Sequence, residues 1–260
     1  MQPICSASGK RQKHYRKKGG INVKPLQERQ LFHMKRDSLE KKIIQYYSET
    51  QDANQVIEYG MAVLAKNSIV VEDYSFLCKD LIREIFLTCE PTEKMRDFCL
   101  YFYDYFEFSE WEKVRNRLFR NQAEFSERTH SIRRDMKHIR AASAPTLDAI
   151  IPMIEEFTKN STEEVKADCL ANPDLFEFTL KTVFEDEKGK RTSLNLKNAD
   201  LGRTHEALVV SLGILARLKI FQKDGVQRYA NVIWKKCKRT STMLDTWHFA
   251  EEKKKIKASK

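Results

Sequence analysis

Residues 98–111 read FCLYFYDYFEFSEW, and eight of these fourteen positions are aromatic: Phe98, Tyr101, Phe102, Tyr103, Tyr105, Phe106, Phe108 and Trp111. So dense a run of rings is either enclosed by the fold or presented as a stacking surface. Placed on a helix, the rings point in nearly every direction, which suits an element surrounded by neighbours. The interleaved charges, Asp104, Glu107 and Glu110, are all acidic, and no Lys or Arg falls between 98 and 111. A nucleic-acid groove combines rings with cations, and stacking worth about 1–3 kcal/mol per base would here be opposed by carboxylate–phosphate repulsion. Burial, at roughly 25 cal/mol per Å² of apolar surface, is the favoured reading. Phe98, Leu100, Phe102, Phe106 and Phe108 also alternate with period two, so only the helix starts at Thr92 and Ser109 favour helix over strand.

From about residue 37 the pattern is helix after helix, each opened by a side chain able to accept from first-turn amides. Asp37 stands three before Glu40, Asp52 three before Gln55, Ser109 three before Glu112 and Ser161 three before Glu164, the last two having the form of capping boxes. This spacing predicts helices over 37–49, 52–66, 73–89, 92–107, 109–140 with a break near Ser126, 146–158, 161–171, 173–186 and 200–218. Asn172-Pro173 suits a helix start. No repeat period is evident.

The C-terminal third changes character. After 189–191, TSLNL alternates like a short strand, a helix follows, and Asp224-Gly225 then lies between two β-favouring runs, which signals a hairpin. Helix, strand, helix and hairpin in this order form the layout of a winged helix. As architecture alone, with no shared motif, a run of helices ending in such a module is similar to PCI-type scaffold subunits. The expected fold is therefore mainly α: an irregular multi-helix bundle or solenoid-like body, then a helix plus β-hairpin unit. The expected organisation is a basic disordered arm over 1–36, a helical body over 37–171, a winged-helix-like unit over 172–236 packed on it, and a lysine-rich tail over 237–260.

A chain of 260 residues, 41% hydrophobic, has enough apolar content for a substantial core. The six cysteines form no Cys-x-x-Cys pair, so neither a zinc knuckle nor a disulfide framework is indicated, and a reducing compartment fits. The first twenty residues have no apolar signal region, and the longest apolar run, 208–215, falls short of the about 20 residues a spanning helix needs. A soluble, intracellular protein of cytoplasm or nucleus is expected, with no membrane association.

Net charge is +10, and its placement is informative: residues 1–38 carry +8 and residues 235–260 carry +6, leaving −4 for the 196 between. KRQKHYRKK at 10–18 is too polar and too like-charged to order itself. Its Lys10, Arg11, Lys13, Arg16, Lys17 and Lys18 can contact phosphates, an acidic protein or an import receptor, or simply keep the chain soluble. In SIRRDMKHIRAAS, Arg133, Arg134, Lys137, His138 and Arg140 recur at helical steps opposite Ile132, Met136 and Ile139, with Asp135 the single acid. This stripe is the strongest phosphate or acidic-partner candidate of the body, the alternative being an ordinary solvated face. Ser143, three after Arg140, has a weak phosphorylation spacing. The helix at 204–218 is mainly aliphatic and suits a protein interface better than a DNA groove, whereas Lys223, Arg228, Lys235 and Lys236 can touch a backbone without reading sequence. Trp247 and Phe249 form a short apolar anchor for the chain itself or a partner.

Catalytic signatures are missing. There is no Gly-rich phosphate loop or nucleophile elbow, and His205-Glu206 is followed at 209 by Val209 where a zinc protease needs histidine. No metal or cofactor is expected. The leading expectation is a non-enzymatic scaffold or adaptor that binds proteins through its helical body and acidic partners through its basic ends. The rival is a nucleic-acid-associated factor using arm, stripe and tail together. A dispersed enzyme site is the third reading.

Overall fold

A computed structural model describes residues 23–244. Six helices build the body's first half: α1 (Glu28–His33), α2 (Arg36–Thr50), α3 (Ala53–Asn67), α4 (Lys79–Thr88), α5 (Glu93–Phe98) and α6 (Phe108–Leu118). They continue through α7 (Gln122–Met136), α8 (Leu147–Thr158) and α9 (Glu163–Ala171) to a mixed C-terminal part with α10 (His205–Arg217). The strands are β1 (Phe176–Glu185), β2 (Arg191–Lys197), β3 (Gln222–Lys223), β4 (Val226–Gln227), β5 (Asn231–Val232) and β6 (Lys238–Met243). The chain is thus mainly helical, with antiparallel strands at its C-terminal end.

α3 is the axis of the body. From Val56 to Asn67 all but Leu64 of its residues are buried, and α1, α2, α4, α5 and α10 pack around it. Asp52 caps it by accepting from the Gln55 amide at 3.0 Å. Gly60 lets an aromatic ring approach its backbone: a Cβ placed there would lie 3.0 Å from the Phe102 ring and 3.1 Å from Ile82.

The aromatic run is core, in a tighter helix than expected. After α5, Cys99–Tyr105 wind as a 3-10 helix, in which residues three apart eclipse. Cys99, Phe102 and Tyr105 therefore share one face, and all three are buried. Phe98, Tyr101 and Trp111 are buried too, Phe106 is half-buried, and Tyr103 and Phe108 are exposed. The rings interlock at centroid separations of 5.8 Å (Phe86–Phe102), 5.2 Å (Phe102–Tyr105) and 5.1 Å (Tyr103–Trp111), the spacing of favourable offset and edge contacts. The acids among them have structural work: Glu107 and Glu110 cap α6, and Glu110 takes both ends of the Arg83 fork at 3.2 and 2.6 Å.

Several expected boundaries shift. The 73–89 helix begins at Lys79, because Asp73 accepts from the Ser75 amide and Phe76 and Cys78 take positive φ. The long 109–140 helix breaks at 119–121 rather than near Ser126, where the Asn121 side chain caps a new start and Phe119 packs edge-on against Phe125 at 5.2 Å. It ends at Met136, and 200–218 is helical only from His205, behind a Thr204 cap. Glu107, Thr162 and Lys35, not Ser109, Ser161 and Asp37, occupy the cap positions. Part of the expected arm, Glu28–His33, is a helix, and part of the expected tail, Lys238–Met243, is a strand.

The largest correction concerns 173–186, which is not a helix. Pro173 opens a single 3-10 turn and Phe176–Glu185 is the central strand β1. β2 pairs along one edge of β1 from Thr179↔Lys197 to Glu185↔Arg191. β5 and β6 share its other edge, from Glu185↔Asn231 to Phe176↔Met243, interrupted by the 3-10 turn Trp234–Lys236. Even-numbered residues of β1 face inward. Phe176 and Phe178 join a small core with Ile154 of α8, Cys169 of α9, Leu201 and Met243, while Leu180 and Phe184 join the main core around α3. One strand thereby ties two cores together. Asp224-Gly225 turns the short β3–β4 hairpin as expected, both residues at positive φ.

Candidate polyanion-binding surface

Because side chains alternate along a strand, the odd-numbered residues of β1 and their partners form the outward face of the sheet. On it Lys181 lies between Asn195 of β2 and Lys238 of β6. Both lysines are exposed and neither forms an ion pair among the described residues. Directly opposed residues in an antiparallel pair hold their Cβ atoms about 4.5–5.5 Å apart, and like charges so placed destabilise the sheet. The neighbouring cations are neutralised: Lys197 pairs with Glu177 at 3.0 Å, and Arg191 lies 3.8 Å from Glu185. Lys235 and Lys236, also exposed, project from the turn that separates β5 from β6 along the same edge. Four lysines are thus gathered where β1, β6 and that turn meet.

The cationic character continues around β6. The Arg239 guanidinium donates to the Arg203 carbonyl at 2.5 Å, and the Arg203 guanidinium donates to the carbonyls of Ser68 at 2.5 Å and of Arg140. These bonds end on backbone carbonyls, and Arg239, in register with inward-facing Leu180, stands with buried Arg203 behind the lysine face rather than on it. The loop carrying Arg203 is fixed to the body by backbone pairing of Val70 with Ala199, by Asp200 N–H to Ile69 C=O at 2.8 Å, and by Asp200 accepting from the Ser143 and Gly202 amides.

Lys10, Arg11, Lys13, Arg16, Lys17 and Lys18, with Trp247 and Phe249, lie outside the described residues. Arg133, Arg134, Lys137 and Arg140 are exposed, but they do not make the continuous helical stripe expected. The helix stops at Met136, so Arg133, Arg134 and Lys137 crowd its C-terminal end, where cations favour the helix dipole. Arg133 also lies over the Phe125 ring at 5.3 Å, and Asp135 turns to Arg217 and the Tyr101 hydroxyl. Arg228 is held by Glu28 at 2.8 Å and lines, with Lys223, Lys24 and Arg29, a cleft between α1 and the hairpin. Of the expected contact residues within the described part, Lys235 and Lys236 join the sheet cluster, and Arg140 lends its carbonyl to Arg203. Lys181 was missed, although the alternation of FEFTLKTVF was an available signal for it; Lys238 and Arg239 belong to the basic run KKCKR at 235–239, and Arg203 stands just before the 204–218 helix.

Burial pushes the Cys78 and Cys99 thiols up to about 12 and raises that of Cys169, so these three remain protonated and unreactive near neutrality. Among the described residues no group of three or more His, Cys, Asp and Glu is placed to hold a metal ion, and no helix is long and apolar enough to cross a membrane. Comparison with protein-family models, with curated proteins and with solved structures finds no match to this chain.

Proposed function

We propose that this protein is a non-enzymatic adaptor whose rigid helical body carries a cationic C-terminal surface for an acidic protein partner. The observation that carries the reading is the unneutralised Lys181–Lys238 opposition with Lys235 and Lys236 beside it. A sheet built only for stability would set an acid beside each cation, as it does for Arg191, opposite Glu185, and for Lys197, diagonal to Glu177. Among the described residues the face offers Asn, Ser and Thr between its lysines and no exposed ring on which bases would stack, which favours carboxylates over nucleotides. In this reading α10 and the hairpin act as a winged-helix-like docking module: α10 turns Ala207, Leu208, Leu212 and Leu215 into the core toward α3. The basic ends add long-range attraction. The site acts where the protein is soluble, in cytoplasm or nucleus.

A second reading, contact with nucleic-acid backbones, is favoured by one observation, the separate cleft lined by Lys24, Arg29, Lys223 and Arg228. Titrating the full chain with a glutamate-rich peptide and with a single-stranded RNA at physiological salt separates the two. The adaptor reading predicts that the peptide binds and that Lys235→Glu with Lys236→Glu abolishes its binding. Tighter RNA binding at equal ligand charge, with a salt dependence reporting several phosphate contacts, would replace it with the second reading.

A further inference from the structure

Behind β6 lies a cavity of about 230 Å³ between the start of α10 and the 234–239 segment, with Leu180, Leu208 and Leu212 on its apolar side and Arg203, His205 and Arg239 among its polar lining. Arg203 is 6% exposed, yet its hydrogen bonds go to backbone carbonyls and, among the described residues, no carboxylate lies within ion-pair distance of it. A buried charge is costly unless an opposite charge and full hydrogen bonding offset it. Burial and the adjacent Arg140 charge both push its pKa below the usual arginine value, against the attraction of Asp200. Asp200, the acid whose charge attracts Arg203, accepts its hydrogen bonds from the Ser143 and Gly202 amides rather than from the guanidinium. The Trp234 ring meets His205 edge-on at 4.7 Å and supplies an apolar wall.

We propose that this cavity is a phosphoryl-binding site that receives a phosphorylated side chain of the acidic partner; the identity of that partner class rests on the adaptor reading above. Arg203, Arg239 and His205 surround the dianion with donors, and the dianion supplies Arg203 with the counter-charge that no carboxylate within ion-pair distance provides. The volume falls below the roughly 300–1,000 Å³ of small-molecule and cofactor sites, so it suits a phosphoryl group on a side-chain stem rather than a whole nucleotide.

Thermal unfolding of the full chain in inorganic phosphate, against chloride at matched ionic strength, reads the site without any partner. The midpoint rises with phosphate concentration by mass action. In His205→Glu, an exposed first-turn position where a carboxylate suits the helix dipole, the chain folds normally and the rise disappears. A glutamate-rich peptide bearing one phosphoserine binds about tenfold tighter than its unphosphorylated form, a factor equivalent to one additional charge-assisted contact, and both His205→Glu and Arg239→Gln erase that preference. No phosphate-dependent rise, or an equal rise in His205→Glu, overturns the site. A rise without preference for the phosphopeptide, or preferential occupancy by a 5′-phosphorylated RNA, overturns the assigned partner. A phosphate response retained while the glutamate-rich peptide fails to bind in either form contradicts the adaptor reading and leaves the anion site standing.

Discussion

Phe102 has no exposed surface and rests its ring against the bare backbone of Gly60. Truncating it to alanine removes a ring from a packed cluster and costs about 3–5 kcal/mol, read as a lower urea midpoint. Gly60→Ala gains up to about 1 kcal/mol of helix propensity, but its methyl group must displace Phe102 and Ile82, an overpacking of about 1–3 kcal/mol; equilibrium unfolding will show a net loss. Lys66 is the other demanding residue of α3: its buried ammonium meets Glu72 at 2.9 Å and lies 3.7 Å from the Tyr74 ring centroid. Burial pushes the Glu72 carboxyl up, and the hydrogen bond and charge of Lys66, with hydrogen bonds from Tyr74 and Asn198, more than reverse this, leaving its pKa below the ordinary value. Glu72 therefore contributes fully above the unfolded carboxylate value of about 4.3, and that contribution is lost as pH falls through the lower folded value, whereas burial lowers the Lys66 ammonium and sets a cost against it. Glu72→Gln costs about 1–2 kcal/mol near neutrality, Glu72 being one-third exposed, and flattens the acid limb of the stability profile.

At the scale of elements, the starts at Asp52 and Thr92 and the turn at Asp224-Gly225 were legible because each is fixed by side chains within three residues of the feature they define. β1 was not, because its partners lie far along the chain: Phe176 pairs with Met243. Pro173, read as opening a helix, masked the alternation of Phe176, Phe178, Leu180, Thr182 and Phe184. The aromatic run was legible as core but not as a 3-10 helix, since eclipsed packing against Gly60 is a tertiary choice. The same distance hid the site. Lys235 and Lys236 stand out as a run, whereas Lys181 acquires its meaning only when β6 places Lys238 opposite it. That opposition makes a directional prediction: Lys181→Glu relieves a like-charge pair and stabilises the sheet by about 0.2–1 kcal/mol, while affinity for an acidic peptide falls. A protein more stable and less able to bind, measured by unfolding and titration on the same sample, is the expected signature.

Across the whole molecule, the charge divides by role. The α7 cations serve their helix end, Arg228 serves α1, and the outward face of the C-terminal sheet keeps lysines that no acid among the described residues neutralises. The helical body supplies a rigid mount, with α3 at its axis and β1 fastening the second core to the first. Hydrogen–deuterium exchange of the full chain with and without a glutamate-rich peptide tests this account most directly. It predicts protection concentrated in 176–185 and 234–243, with little change in α4 and α6. Protection confined to the helical body, with those strands unaffected, would contradict it.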